Sequence, residues 1–85
     1  MKYKLLIERA AQKELSKIPH REQDRIITAI QNLTDNPRPS NVKKLIGRDA
    51  WRMRIGNYRV IYEIHNDTLI VLVVHIGHRK DIYRK

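Results

Sequence analysis

One segment of the chain, residues 51–64, alternates basic and apolar side chains. It begins Trp-Arg-Met-Arg-Ile, and a second alternating run follows a Gly56-Asn57 pair. That pair suits a two-residue turn, because glycine tolerates the positive φ that tight hairpin turns require. Successive side chains of a strand point to opposite faces. Arg52 and Arg54 are therefore predicted on one face of a β-hairpin, where they would meet an anionic ligand.

The other side chains that could do chemistry form no recognised constellation. The nine acidic residues show no paired-ligand spacing, and the four histidines form no H-x-x-x-H or H-E-x-x-H motif, so we predict no metal site and no cofactor. The three glycines fall at predicted turns rather than in a phosphate-binding loop. Ser16 and Ser40 suggest no Ser-His-Asp set, and the absence of cysteine excludes disulfides and thiolate ligands.

An arginine-rich surface with tyrosine and histidine nearby suits phosphate chemistry without a metal. Arginine can bind a phosphodiester through two parallel hydrogen bonds and stabilise the charge that builds at phosphorus in the transition state. The 2′-hydroxyl of RNA can supply the nucleophile. The protein would then need to supply position, charge and proton transfer, the last from a tyrosine or a histidine.

Periodicity predicts the elements that must position the arginines. Besides the hairpin they are a strand over 3–7, a helix over 8–18, a helix over 21–34, a connector or short strand over 42–46 and an apolar strand over 69–76. Pro19 ends the first helix and Gly77 the last strand. The order β-α-α-β-β-β predicts an α+β domain whose N-terminal strand and helical hairpin pack on one face of a small, mostly antiparallel sheet. The arginines would line the other face.

Length and charge narrow the class of protein. Residues 1–85 are enough for a single domain, and the formal net charge is +9. Residues 1–42 carry a net charge of +3 and residues 43–85 a net charge of +6. The excess in the half that holds the hairpin favours a polyanionic partner. No segment resembles a signal peptide or a membrane span, so a cytoplasmic protein without membrane contact is expected.

Two segments then carry a family resemblance: Trp51-Arg-Met-Arg-Ile-Gly-Asn-Tyr-Arg-Val-Ile-Tyr62 and the closing His75-Ile-Gly-His-Arg-Lys-Asp-Ile-Tyr83. Together with the first helix and the Lys-Leu-x-Gly connector at 44–47, they resemble the RelE branch of the RelE/ParE toxin superfamily of type II toxin–antitoxin systems. The resemblance covers nearly the whole chain. It implies a metal-independent endoribonuclease that cuts messenger RNA in the ribosomal A site, and an antitoxin whose acidic segment wraps the toxin in a hetero-oligomer.

The resemblance also implies roles for individual residues. The catalytic set would be Arg52, Arg54, Arg59, Arg79 and Tyr83, with Tyr83 packed against the substrate base. Further basic residues would bind RNA: Lys43, Lys44, Arg48, His78 and Lys80. The best-studied branch has lysine where this chain has Arg52 and Arg54. Arginine stays protonated at any relevant pH, so these two are expected to act electrostatically and to leave proton transfer to His78 or Tyr83.

Several alternatives remain open on the sequence. Arg59 could form a structural ion pair with Glu63 instead of serving the site. A ParE-like toxin that binds DNA gyrase and cuts nothing would share the fold but would generally lack the full set of arginines with the tyrosine. An inactive RNA-binding module would keep the arginines without cleavage.

Overall fold

The computed structural model describes residues 2–78, which form two helices and five strands. The helices are α1 (Arg9–Ser16) and α2 (His20–Asn32). The strands are β1 (Lys4–Ile7), β2 (Val42–Lys44), β3 (Trp51–Ile55), β4 (Tyr58–His65) and β5 (Ile70–His78).

All five strands belong to one sheet with the order β1-β5-β4-β3-β2. β1 runs parallel to β5, and the other neighbouring strands are antiparallel. The predicted mostly antiparallel α+β sheet is thereby confirmed. The choice left open for residues 42–46 resolves as a short strand, because β2 pairs with β3 from Val42 opposite Met53 to Lys44 opposite Trp51.

The two helices cover one face of this sheet. Ile26 and Ile30 of α2 are fully buried, and Ala11 of α1 joins them in a core whose sheet side includes Met53 and Val60. The helices turn tightly at Pro19, which precedes α2 with φ −54°, close to the value that the proline ring imposes. Neither helix is long and apolar enough to cross a membrane.

The hairpin of β3 and β4 forms as predicted. Ile55 pairs with Tyr58, so Gly56 and Asn57 make a two-residue connection, and Gly56 has φ +58°. Gly77, by contrast, does not end the last strand: β5 continues to His78, and that prediction is wrong. Gly77 pairs with Arg59 across the ladder, so β4 supplies the hydrogen-bonding neighbour that keeps the backbone extended.

The C-terminal end of β5 extends beyond β1, its other neighbour in the sheet. Pairing with β1 stops at Ile7 opposite Val73, and α1 lies along the exposed edge beyond it. There the Glu14 carboxylate takes the place of a strand: its Oε1 accepts the Ile76 backbone N–H at 2.9 Å and lies 3.1 Å from His75 Nδ1. His75 is thus a residue of β5 whose ring lies beside the Glu14 carboxylate.

Replacing Glu14 by alanine should lower the free energy of unfolding by about 1–3 kcal/mol. The substitution leaves the partly buried Ile76 N–H without its acceptor, and an unsatisfied donor costs its desolvation. Glu14→Gln keeps an acceptor oxygen in place and should recover at least half of the loss. Urea unfolding of the three proteins measures this. An alanine variant as stable as the wild type would show that the carboxylate does not hold the strand.

Candidate functional site

Four basic side chains lie on the face of the sheet opposite the helices. Met53 of β3 is buried in the helix-covered core, so the strand alternation sends Arg52 and Arg54 to the other face. The register places Lys43 of β2 directly opposite Arg52, and Arg59 of β4 directly opposite Arg54. Three adjacent strands therefore bring two cross-strand pairs of like charge onto one face.

Pairing like charges directly across neighbouring strands is electrostatically unfavourable. Directly opposed residues of an antiparallel pair have Cβ atoms about 4.5–5.5 Å apart, and like charges at that distance destabilise the sheet. Of the acidic side chains on and between these strands, Asp49 pairs with Lys44 at 3.6 Å, and Glu63 pairs with His65 at 2.9 Å. A bound anion would weaken this like-charge repulsion.

An open cavity of about 320 Å³ lies at the β2–β3 side of this face. It is lined by Ser40, Asn41, Lys43, Arg52 and Arg54. The size is at the lower end for a small-molecule site and suits a phosphate with part of its nucleotide. Arg52 is half-buried and Arg54 exposed, so both guanidinium groups can reach a ligand from the cavity wall.

Arg59 belongs to the predicted face, but the residue is buried, with only 2% of its area exposed. Its Nη1 donates to the Tyr58 carbonyl oxygen at 3.3 Å, and the residue across the ladder is Gly77, which has no side chain to compete for the space. Glu63, the alternative partner of Arg59, has its Oε1 2.9 Å from His65 Nε2. Burial and this hydrogen bond restrict the Arg59 side chain, and its positive charge adds to the charge of the basic face.

Three other predicted RNA-binding residues are not brought to the cavity. Lys44 follows Lys43 in β2 and so lies on the opposite side, opposite Trp51. Arg48 is exposed in the connection between β2 and β3. His78 pairs with Tyr58 on the helix-covered side, where the two rings meet edge to face with centroids 5.7 Å apart.

The remaining predicted site residues, Arg79, Lys80 and Tyr83, lie outside the described residues. Within residues 2–78, no group of three histidine, cysteine, aspartate or glutamate side chains is placed to hold a metal ion. The described side chains that line the cavity are thus three cations, an amide and a hydroxyl.

Comparison with known proteins assigns the family. A family model described as the ParE toxin of type II toxin–antitoxin systems matches residues 5–83. The toxin RelE3 of Methanocaldococcus jannaschii is 32% identical over 85 residues, which span 94% of each chain. The toxin RelG of Mycobacterium tuberculosis is 31% identical over 91 residues and the full length of both chains. This chain is a RelE-branch toxin of the RelE/ParE superfamily.

The fold of the toxin agrees with that assignment. The archaeal RelE–RelB complex from Pyrococcus horikoshii contains a chain that superposes with a TM-score of 0.84 at 28% identity. The match covers 93% of this toxin and 97% of that chain.

Two residues that line the cavity, Ser40 and Asn41, were not predicted from the sequence. Ser40 and Asn41 precede β2, and the alternation that puts Lys43 on the cavity face puts Asn41 there too, next in register to Arg54. That periodicity was the available signal. It could be used only once residues 42–44 were known to be a strand.

Proposed function

We propose that this toxin is a metal-independent, ribosome-dependent endoribonuclease that cleaves messenger RNA in the ribosomal A site. Two cross-strand pairs of basic residues, Lys43 with Arg52 and Arg54 with Arg59, lie beside a cavity of about 320 Å³. In a chain of the RelE branch, this arrangement is the observation that carries the proposal. Such a face suits a phosphodiester, whose charge would offset the repulsion. An activity that depends on the ribosome would take place in the cytoplasm.

The reaction that fits these side chains is an intramolecular phosphoryl transfer. The RNA 2′-hydroxyl gives its proton to solvent water, and its oxygen bonds to the adjacent phosphorus. The bond from phosphorus to the 5′-oxygen breaks, and the 5′-oxygen takes up a proton. The products are a 2′,3′-cyclic phosphate and a free 5′-hydroxyl. Arg52 and Arg54 would bind the non-bridging oxygens and stabilise the charge that they gain in the transition state. Arg59 and Arg79 would add to that field, and Tyr83 would stack on a base.

An antitoxin is proposed as the physiological partner. The Pyrococcus horikoshii toxin that this chain resembles was solved in complex with RelB. In a similar hetero-oligomer, an acidic antitoxin segment would compete with RNA for the basic face. It would inhibit by covering Arg52 and Arg54 or by displacing the residues that follow His78.

A second candidate is a ParE-like toxin that arrests DNA gyrase without nuclease activity. It is kept because the matching family model carries the ParE description. The two functions differ in what the basic face must do: an endoribonuclease needs it for chemistry, whereas a gyrase inhibitor needs only a docking surface.

Purified toxin should cleave messenger RNA on programmed ribosomes, and Arg79→Ala and Tyr83→Ala should both cut more slowly. EDTA at a concentration that leaves the ribosomes intact should not change the wild-type rate. Absence of cleavage together with arrest of gyrase would replace the proposal by the ParE-like function. RNA binding without cleavage would indicate an inactive module. Equal cleavage by all three proteins would keep the activity and remove the C-terminal residues from the site.

A further inference from the structure

The proposed cleavage leaves one requirement that the arginines cannot meet. The departing 5′-oxygen needs a proton, because an alkoxide is a poor leaving group in water. A guanidinium does not release a proton at any relevant pH, so Arg52, Arg54 and Arg59 can stabilise charge but cannot protonate that oxygen. A general acid has to come from another side chain that reaches the same phosphate.

Lys43 is placed to be that side chain. It lies directly opposite Arg52 in the antiparallel pairing of β2 with β3, and it lines the cavity together with Arg52 and Arg54. β2 is the edge strand on this side of the sheet, and Lys43 is exposed on it. Residues 52 and 54 are two positions apart on β3, about 6.5–7 Å, so a phosphate held between them has Lys43 at its flank.

The neighbouring candidates fail on position or on chemistry. His78 and Lys44 lie on the other side of the sheet, and Lys44 is paired with Asp49. Ser40 and Asn41 share the cavity, but a hydroxyl and an amide are far weaker acids than an ammonium group. Among the described residues that line the cavity, Lys43 is the one whose cationic proton is transferable.

We infer that Lys43 is the general acid of the cleavage reaction that we propose for this toxin. Its ammonium group donates a proton to the 5′-oxygen as the bond from phosphorus to that oxygen breaks, and it is left as a neutral amine. Solvent then returns the proton to the amine. The arginines keep their charge throughout and hold the non-bridging oxygens. Lys43 on the edge strand thereby supplies the transferable proton that Arg52 and Arg54 cannot supply.

The test separates proton donation from simple electrostatic attraction. Single-turnover cleavage on programmed ribosomes is measured with wild type, Lys43→Arg, Arg54→Ala and the control Lys13→Arg, which makes the same exchange at an exposed position of α1. Two messenger RNAs are compared: the ordinary one, and one in which sulfur replaces the bridging 5′-oxygen at the cleavage site. A thiolate leaves without protonation, so the second substrate needs no general acid. Urea unfolding verifies that each variant is folded.

Lys43→Arg should cleave the ordinary RNA about a hundredfold or more slowly than wild type, the usual effect of losing a general acid, and the sulfur substrate within a few-fold of wild type. Arg54→Ala should be slow on both substrates, and Lys13→Arg should match wild type on both. An equal deficit of Lys43→Arg on both substrates, or no deficit, would overturn the assignment while leaving the proposed function standing. If wild type cleaved neither substrate, the proposed function itself would fail.

Discussion

Replacing Arg54 by alanine should lower the rate of messenger RNA cleavage by about a hundredfold to a thousandfold. Arg54 is the exposed guanidinium of the cavity, and removing one preorganised donor that serves the developing negative charge typically costs that much. Single-turnover cleavage on programmed ribosomes measures the loss. Arg54→Lys should retain more of the rate than Arg54→Ala, because it keeps the charge but gives up the two-point hydrogen bonding of a guanidinium.

The same substitution should not destabilise the protein. Arg54 faces Arg59 directly across the ladder, so its removal relieves a like-charge contact. The free energy of unfolding should stay level or rise by a few tenths of a kcal/mol, as expected for one cross-strand pair. A site that loses activity while the fold gains stability is typical of charges held for a ligand rather than for the fold.

Arg21→Ala is the matched control for Arg54→Ala. It removes the same side chain from an exposed position on α2, on the helix side of the molecule, and should cleave at the wild-type rate. If Arg54→Ala cleaved as fast as this control, the cavity would not be the site of the reaction. If its lost activity were matched by a lost folded fraction, the arginine would have a structural role.

The part of this site that was predictable from sequence is the part that depends on strand alternation. Trp51 to Ile55 alternates without interruption, so the shared face of Arg52 and Arg54 followed from the residue order alone. The two-residue turn at Gly56 fixed which β4 residue lies opposite Arg54. Burial of Arg59 did not follow, because it depends on the neighbour across the ladder being Gly77, eighteen positions further along the chain.

Where the structure differs from the expectation drawn from sequence, the cause is a tertiary contact that the local sequence does not show. Gly77 was predicted to end the last strand, yet β4 holds it in the sheet, and the continued strand carries His78 to the helix side. Lys43 and Lys44 were grouped as neighbours in sequence, but a strand sends them to opposite faces. The edge of β5 is satisfied by Glu14, 62 positions before Ile76, a contact that no local pattern predicts.

Removal of the Tyr62 side chain should have the largest effect on stability. Tyr62 of β4 is fully buried in the core, and its hydroxyl donates to the Pro37 carbonyl oxygen at 2.6 Å. That bond ties the segment between α2 and β2 to the sheet, three residues before Ser40 and the cavity. Tyr62→Ala should cost about 3–5 kcal/mol, as for other large aromatic side chains removed from a core. This is a large share of the roughly 5–15 kcal/mol that stabilises a typical domain.

Tyr62→Phe isolates the hydroxyl. It keeps the ring but leaves the Pro37 carbonyl without its donor, and should cost about 1–2 kcal/mol near neutral pH. Urea unfolding of wild type, Tyr62→Phe and Tyr62→Ala provides the measurement. A phenylalanine variant as stable as the wild type would mean that the hydrogen bond adds nothing to the fold. An equal loss for the two variants would assign the whole effect to the hydroxyl and none to the ring.

The pH dependence of the same pair of proteins gives an independent check. Burial raises the pKa of Tyr62 to about 12, although the positive charge of Arg38 opposes the shift. An unfolded tyrosine ionises near 10, so the folded protein binds the phenolic proton more tightly than the unfolded chain does. This stabilisation is complete below about pH 10 and is lost as pH rises toward 12, by up to about 2–3 kcal/mol. The stability advantage of wild type over Tyr62→Phe should therefore shrink above pH 10 and reverse where this loss exceeds the contribution of the hydroxyl. All other ionisable groups are the same in the two proteins, so a constant difference across that range would contradict the assignment to Tyr62.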